Sequence, residues 1–435
     1  MRSIKKYSVD NIEVFKQRLL EWSRDYDEIT WLDSNNYHQE YSNFDAVMAL
    51  QAFTLIKTDY LQAFDKLQEY QQTTKDWIFG YLSYDLKNDV EDLKSNNSDS
   101  LHFPDLYFFQ PQKLIFIKGK EVEFQYLRMI DDEIDSDFEE ISKLELKSSK
   151  SNVENIASKI QARISKSQYL EKINELLAHI HRGDIYEANF CQEFYLENAI
   201  IDPIQVFQEL NKISSPPFAT FFKWENNYLL SASPERYLQK KGNKIISQPI
   251  KGTARRDENE AIDSQIAKEL EKDLKERSEN IMIVDLVRND LSHTAKKGSV
   301  KVEELCKIYP FKQVHQMIST ISSELADGIP PVEVLRSTFP MGSMTGAPKI
   351  SAMKIIEELE VSKRGLYSGA VGYFTPNGDF DFNVVIRSIL YNKIDKYVSF
   401  SVGGAITSRS IPEKEYEECL LKSKAMREVL QISNK

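Results

Sequence analysis

An α+β fold is what the sequence predicts, and two observations carry that reading. Strand-like runs come in hairpin pairs and long amphipathic helices stand between them, but no regular strand–helix–strand alternation joins the two. With 435 residues, 41% hydrophobic and 28% charged, the chain can bury a large core or two to three ordinary domains. No run approaches the roughly 18 apolar residues of a spanning helix. The longest, 281–287, is broken by Asp285, and the basic start of the chain has no apolar run behind it. A cytoplasmic protein is therefore expected, without a membrane partner.

Taken in order, 14–22 and 46–70 read as helices, and 106–109 and 114–117 as strands parted by a Pro-Gln break. The polar stretch 87–100 predicts a surface loop. The acidic, then Lys/Ser-rich stretch 131–151 predicts a linker dividing a region 1–150 from a region 151–435. Beyond Ser165 come a helix at 169–181, strands up to Leu196, and strands at 218–224, 228–231 and 244–247. The stretch 256–277 reads as one charged helix with Ile262, Ile266, Leu270 and Leu274 on one stripe. A last helix opens at Ser410-Ile411-Pro412, where serine caps and proline suits the first turn.

The balance of 56 basic and 67 acidic residues argues against nucleic acid as partner while leaving room for a basic pocket that takes a small anion. Three dispersed cysteines, Cys191, Cys306 and Cys419, form no metal knuckle and suit a reducing compartment. None of the six histidines is assigned a metal.

The chemistry centres on Gln248-Pro249-Ile250-Lys251-Gly252-Thr253. Proline fixes φ on one side and glycine lets the chain turn on the other, so the amine between them is held in place. It can attack if a partly buried site keeps it neutral; the alternative is a surface lysine beside a turn. Glu235, in Ser233-Pro234-Glu235-Arg236, precedes Lys251 by sixteen residues, a spacing at which two antiparallel strands place both in one pocket. A buried glutamate there can be a general acid, and a turn glutamate is the plainer reading.

Glu276 with Glu279, and Glu415 with Glu418 and Lys422, each share a helix face. Two acidic pairs suit an oxygen-preferring ion such as magnesium, although each pair alone equally suits a helix first turn. The loop 342–349 before a helix offers amides to an anion but lacks the Gly-Lys-Ser/Thr ending of a P-loop. Arg387 and Gly403-Gly404-Ala405 fall on or after strands, where an arginine seeks a carboxylate, and Tyr367 adds a donor nearby.

Ser-Pro-Glu-Arg, Pro-Ile-Lys-Gly-Thr, Glu279 with Val284-Asp285-Leu286-Val287-Arg288-Asn289-Asp290-Leu291, Thr345-Gly346-Ala347-Pro348-Lys349 and Glu415-Tyr416-Glu417-Glu418 occur here in one order. Together they resemble the chorismate-utilising enzymes: anthranilate synthase component I, aminodeoxychorismate synthase component I, and the isochorismate and salicylate synthases. The resemblance is dense over 168–429. It implies the anthranilate synthase component I fold, with mixed or antiparallel sheets packed as a two-layer sandwich and helices outside. It also implies a magnesium-dependent reaction on chorismate. Glu279 and Glu418 would hold the metal with Glu276 and Glu415 beside them. Tyr367, Arg387 and Lys422 would receive the substrate carboxylates, helped by Thr345 and Gly403, and Glu235 would protonate the departing 4-hydroxyl.

Within this family anthranilate synthases carry a small residue where Lys251 stands. The lysine resembles the aminodeoxychorismate synthase branch, in which it adds to C2 before ammonia enters at C4, on the route to 4-aminobenzoate and folate. The stretch 183–189 has no lysine of the kind that activates water in isochorismate synthases. Departures from the family are Glu187 for a glutamine, Gln316 where Val-x-His is usual, and Gly403-Gly404-Ala405 for Gly-Ala-Gly. No glutaminase Gly-x-Cys-x-Gly elbow occurs, so ammonia would come from a glutamine amidotransferase subunit or from solution, and no lyase segment is expected. Leu32 and Ser34, with Ser215 and Pro216, resemble two walls of the family's tryptophan pocket; an ordinary packed loop fits as well. The rival expectations are anthranilate synthase component I and a non-catalytic, tryptophan-binding regulatory subunit.

Overall fold

The computed structural model describes residues 2–37, 44–146, 159–312 and 314–432. Its seam is the strand Leu106–Lys118, a single strand where a Pro-Gln break was expected. Pro111 sits at a register irregularity against Ala52, and an irregular pair tolerates the missing N–H. One edge of the seam is covered by Ala46–Thr58; the other is shared between Ile78–Leu82 and Glu121–Leu127.

Two arms of strands leave this seam. One runs from Ala46–Thr58 through Glu28–Asp33, Phe218–Trp224, Asn227–Ser233, Ser388–Asn392 and Tyr397–Thr407 to Glu187–Leu196. The other runs from Ile78–Leu82 through Ala370–Phe374, Phe380–Val384, Arg236–Lys241 and Lys244–Gln248 to Val314–Glu324. Val314–Glu324 carries Ile250–Arg255 and Lys301–Pro310. Each of these pairings is antiparallel. Strands from both sides of residue 150 are hydrogen-bonded into the same sheet.

The arms stack as two layers because their inner faces supply one apolar filling. Val47, Ala49, Phe222 and Leu390 from one arm meet Phe79, Tyr81, Val371 and Tyr373 from the other. Helices cover the outer faces, as with Phe15, Ile173 and Phe207 on one side and Leu67, Ile283 and Leu335 on the other. The α+β sandwich expectation holds. No described helix is long and apolar enough to cross a membrane, and all three cysteines are free and buried.

Four local expectations are corrected. The stretch 46–70 is the strand Ala46–Thr58 followed by the helix Ala63–Thr74. Residues 46–50 are buried on both faces, Ala46, Met48 and Leu50 outward and Val47 and Ala49 inward. The alternation that marks a half-buried strand is therefore absent. In 87–100, Lys87–Val90 is a helical turn whose lysine is 1% exposed, its amine 3.4 Å from both Asp85 and Glu357. In 131–151, the helix Ile134–Lys143 docks through Ile134 and Ile141, and its Asp137 lies 2.6 Å from the Lys113 amine; residues 147–151 lie outside the described set. Finally, 256–277 is two helices, Glu260–Lys272 and Leu274–Ser292. Asp273 breaks them and caps the second, accepting from the amides of Lys275 (2.8 Å) and Glu276 (3.0 Å).

Candidate active site

The far ends of the two arms meet at a pair of buried charges. Glu187 opens the last strand of one arm and Lys251 lies on Ile250–Arg255 of the other; Lys251 Nζ is 3.3 Å from Glu187 Oε1. The Lys251 side chain is 12% exposed and that of Glu187 2%. Gly252, at φ +97°, sits in a register shift between Ile250 and Thr253, so the expected turn is a bulge within a continuing strand. Asn280 Nδ2 donates to the Lys251 carbonyl at 3.2 Å and ties this bulge to the helix Leu274–Ser292.

The amine is not kept neutral. Burial opposes its charge, but the Glu187, Glu279 and Glu235 carboxylates outweigh burial and hold its pKa above the ordinary lysine value. The surrounding carboxylates thus favour the charged form of this amine.

Glu235 reaches the same pocket through the hairpin of Arg236–Lys241 and Lys244–Gln248, in which Arg236 pairs with Gln248. The Arg236 guanidinium pins that end, with Nε 2.9 Å from Asp381 Oδ1 and Nη1 2.6 Å from Gln248 Oε1. Glu235 is 3% exposed. Burial lifts its pKa to about 7, opposed by a hydrogen bond from Ser343, the Lys251 charge and the Ile250 amide. The Lys251 charge and the amide of its neighbour Ile250 both act on the Glu235 carboxylate, so the acid lies near the amine.

Arg387 lies between Phe380–Val384 and Ser388–Asn392 at φ +51°, and its guanidinium makes no hydrogen bond or ion pair among the described residues. Burial lowers its pKa and Glu235 acts to raise it. Tyr367 is 5% exposed, with its hydroxyl 3.7 Å from Cys191 Sγ. Thr345 is buried and its hydroxyl donates to its own loop, to the carbonyls of Gly342 (3.3 Å) and Met341 (3.4 Å).

The four glutamates gather around Lys275 and Lys422. Lys275 Nζ is 3.8 Å from Glu279 Oε1 and 3.9 Å from Glu415 Oε1; Lys422 Nζ is 2.8 Å from Glu418 Oε1 and 2.9 Å from the Gly403 carbonyl. Glu276 and Glu418 also act on the Lys275 charge. Burial raises the pKa of Glu279 to about 7 and lifts Glu276 and Glu415, whereas Lys422 depresses Glu418. In this arrangement no three acidic, histidine or cysteine side chains among the described residues converge on one metal position. The donor set nevertheless fits a magnesium ion. All four side chains offer carboxylate oxygen, Glu279 Oε1 is buried without a hydrogen-bond partner, and the space beside the cluster is kept open by a glycine. That glycine is Gly404: a β-carbon there would lie 3.6 Å from Lys422 Nζ and 3.7 Å from Glu415 Oε2. A β-carbon on Gly403 would instead collide with the Phe190 carbonyl at 2.4 Å, so Gly403 faces the neighbouring strand.

Leu32 and Ser34 line a cavity with Phe44, Pro217 and Phe218. Of the other expected wall, the Pro216 carbonyl is taken by Asn35 Nδ2 at 2.7 Å and Ser215 Oγ by Lys312 at 3.3 Å. Gln316 is buried on Val314–Glu324 with its Oε1 unpartnered, while its neighbour His315 bonds Asp263 at 2.8 Å. Sequence reasoning missed Lys275, Asn280, Ser343 and Gly404. The first two stand beside the glutamates it did select; Ser343 and Gly404 lie in stretches it singled out without giving either a role of its own.

With this geometry in place, residues 27–428 match the model of the chorismate binding enzyme family. The chain belongs to that family. Aminodeoxychorismate synthase component 1 of Salmonella typhimurium is 40% identical over 258 residues, 59% of this chain and 56% of that protein. The chain thus spans little more than half the length of this relative. The same component of Bacillus subtilis is 31% identical, covering 81% of this chain and 77% of the relative. Anthranilate synthase component 1 of Thermus thermophilus is 32% identical, covering 82% and 78%. Overall identity therefore does not separate the two activities. The fold is shared with a crystal structure of anthranilate synthase component I from Streptococcus pneumoniae, with a TM-score of 0.78, 22% identity and coverage of 90% and 93%.

Proposed function

We propose that this chain is the synthetic component of an aminodeoxychorismate synthase, converting chorismate and ammonia to 4-amino-4-deoxychorismate for 4-aminobenzoate and folate synthesis. One observation carries the reading: a buried lysine stands within reach of a buried glutamate whose raised pKa suits a proton donor near neutral pH. Lys251 adds to C2 as Glu235 protonates the 4-hydroxyl, which leaves as water. Ammonia then enters at C4, and the lysine departs as an amine.

Arg387, with its uncommitted guanidinium, takes a substrate carboxylate, assisted by Tyr367, Lys422 and the Thr345 and Gly403 backbone. Glu279 and Glu418, with Glu276 and Glu415 beside them, would hold magnesium, which supplies positive charge against a substrate carboxylate. The name component 1 in the relatives supports a separate glutamine amidotransferase as the ammonia source. The buried free thiols suit a cytoplasmic setting.

The test is incubation with chorismate, magnesium and ammonium, with and without an aminodeoxychorismate lyase. The expected result is 4-aminobenzoate only when the lyase is present. Fluorescent anthranilate without it would establish the anthranilate synthase reading instead. Unchanged chorismate together with tryptophan binding would establish a regulatory subunit, the reading favoured by the cavity at Leu32 and Ser34.

A further inference from the structure

Glu187 stands where the family carries glutamine, and the structure gives it a position no amide could use in the same way. Its backbone is fixed between two strands, paired with Thr407 on one side and Ala347 on the other. Its Oε1 makes the 3.3 Å ion pair with Lys251, and its Oε2 is buried with no hydrogen-bond partner. Lys251 is the one cation paired with Glu187 among the described residues. A carboxylate serving only as counterion gains nothing from a stranded oxygen, because an unsatisfied buried acceptor costs free energy. The stranded oxygen has spare capacity for a proton.

We propose that Glu187 is the general base that takes a proton from the Lys251 ammonium and so frees the amine for attack. The inference rests on the reading of Lys251 as the nucleophile. Four carboxylates act on the amine: Glu187, Glu279 from the helix Leu274–Ser292, Glu235 from the loop before Arg236–Lys241, and Glu418 from the helix Pro412–Lys422, which is itself paired with Lys422 at 2.8 Å. Glu187 is the one within ion-pair distance. Glu235 has the opposite task of giving a proton to the leaving oxygen, and Glu279 lies 3.8 Å from another lysine, Lys275.

The protons and bonds balance. The ammonium gives one proton to Glu187, and the free electron pair on Nζ forms the bond to C2. The ring diene electrons shift toward C4, the C4–O bond breaks, and Glu235 supplies the proton with which that oxygen leaves as water. Ammonia brings its electron pair to C4, the diene shifts back, and the C2–N bond breaks to return a neutral amine. Glu187 then restores the ammonium, and Glu235 is reprotonated from solvent.

The experiment compares E187Q and E187D with the unmodified chain, using ammonium as nitrogen source and following single-turnover chorismate consumption between pH 6 and 10. E187Q should lose about 10²-fold or more at pH 7, the range of general-base catalysis, with chorismate affinity within a few-fold. Its rate should climb with pH as the ammonium loses its proton to solvent without help. E187D should recover part of the loss and keep the original pH profile. An E187Q rate near that of the unmodified chain, or a loss independent of pH, overturns the base role. If E187Q does not fold, an E187D rate and pH profile equal to those of E187A does the same. K251M separates the two readings: a K251M variant of full activity removes the nucleophile itself, whereas inactive K251M beside unaffected E187Q removes only Glu187.

Discussion

The two ends of this sandwich are built by the same antiparallel pairing and hold opposite contents. At the seam, Phe222 meets Tyr81, Tyr107 and Phe109 in edge-to-face contacts with ring centroids 5.6 to 6.2 Å apart. The layers are joined there by apolar packing in which aromatic rings and aliphatic side chains such as Val47, Val371 and Leu390 interleave. At the far end the layers are joined by Lys251 and Glu187, with Glu235, Glu279 and Arg387 around them. The contrast teaches how a fold carries such a site. A dry, rigid seam fixes the spacing of the layers, and the opposite rim uses that spacing to hold buried charges that would otherwise be solvated or neutralised.

The comparison can be broken first at the charged end. K251M should lower aminodeoxychorismate formation by about 10³-fold or more, the scale of removing a group that acts in the reacting unit. Magnesium binding measured by calorimetry should stay intact; unimpaired turnover would remove the nucleophile role. At the apolar end, F222A should leave a cavity costing about 3–5 kcal/mol of stability by denaturant unfolding, with little change in rate per folded molecule. A loss below 1 kcal/mol would mean the seam is not the anchor described.

E235Q sharpens the contrast through pH. The folded-state pKa of Glu235 is raised to about 7 from an ordinary 4.5. The acid form therefore persists to neutrality, and the unmodified rate should fall above pH 7. E235Q should be about 10²-fold slower at pH 6 and lack that descending arm. The sign for stability follows from the same shift. The native state binds the proton more tightly, so the stabilising contribution is full below about pH 4.5 and is lost as pH rises through 7. E235Q should therefore gain in melting temperature relative to the unmodified chain as pH goes from 5 to 8. The smallest effect is expected for D273A, which removes the cap of Leu274–Ser292. A loss of about 1 kcal/mol in stability should come with a few-fold weaker magnesium affinity, since Glu276 and Glu279 ride on that helix.

Much of the site was legible in advance. Glu235 and Lys251 are joined by one hairpin, and Glu276/Glu279 and Glu415/Glu418 are helix neighbours, so local periodicity brings each set together. The misreadings have separate causes. The stretch 46–70 reads as helix because residues 46–50 of its strand are buried on both faces, and a strand start without polar alternation loses its period. Asp273 was read as part of a helix because a residue within a charged run gives no sign that it caps the next element. Which of Gly403 and Gly404 turns toward the glutamates could not be read, because it depends on register with Glu187–Leu196.

The sequence by itself determined the α+β class, the family motifs and which side chains to propose as reactive, because these depend on residue type and on spacing along one element. Only the tertiary structure decided that Glu187 meets Lys251, that the amine is held charged, and that Gly404 opens onto the glutamates. Each of these depends on segments distant in sequence being brought together at the rim, and a side chain's protonation follows the burial and neighbours it finds there.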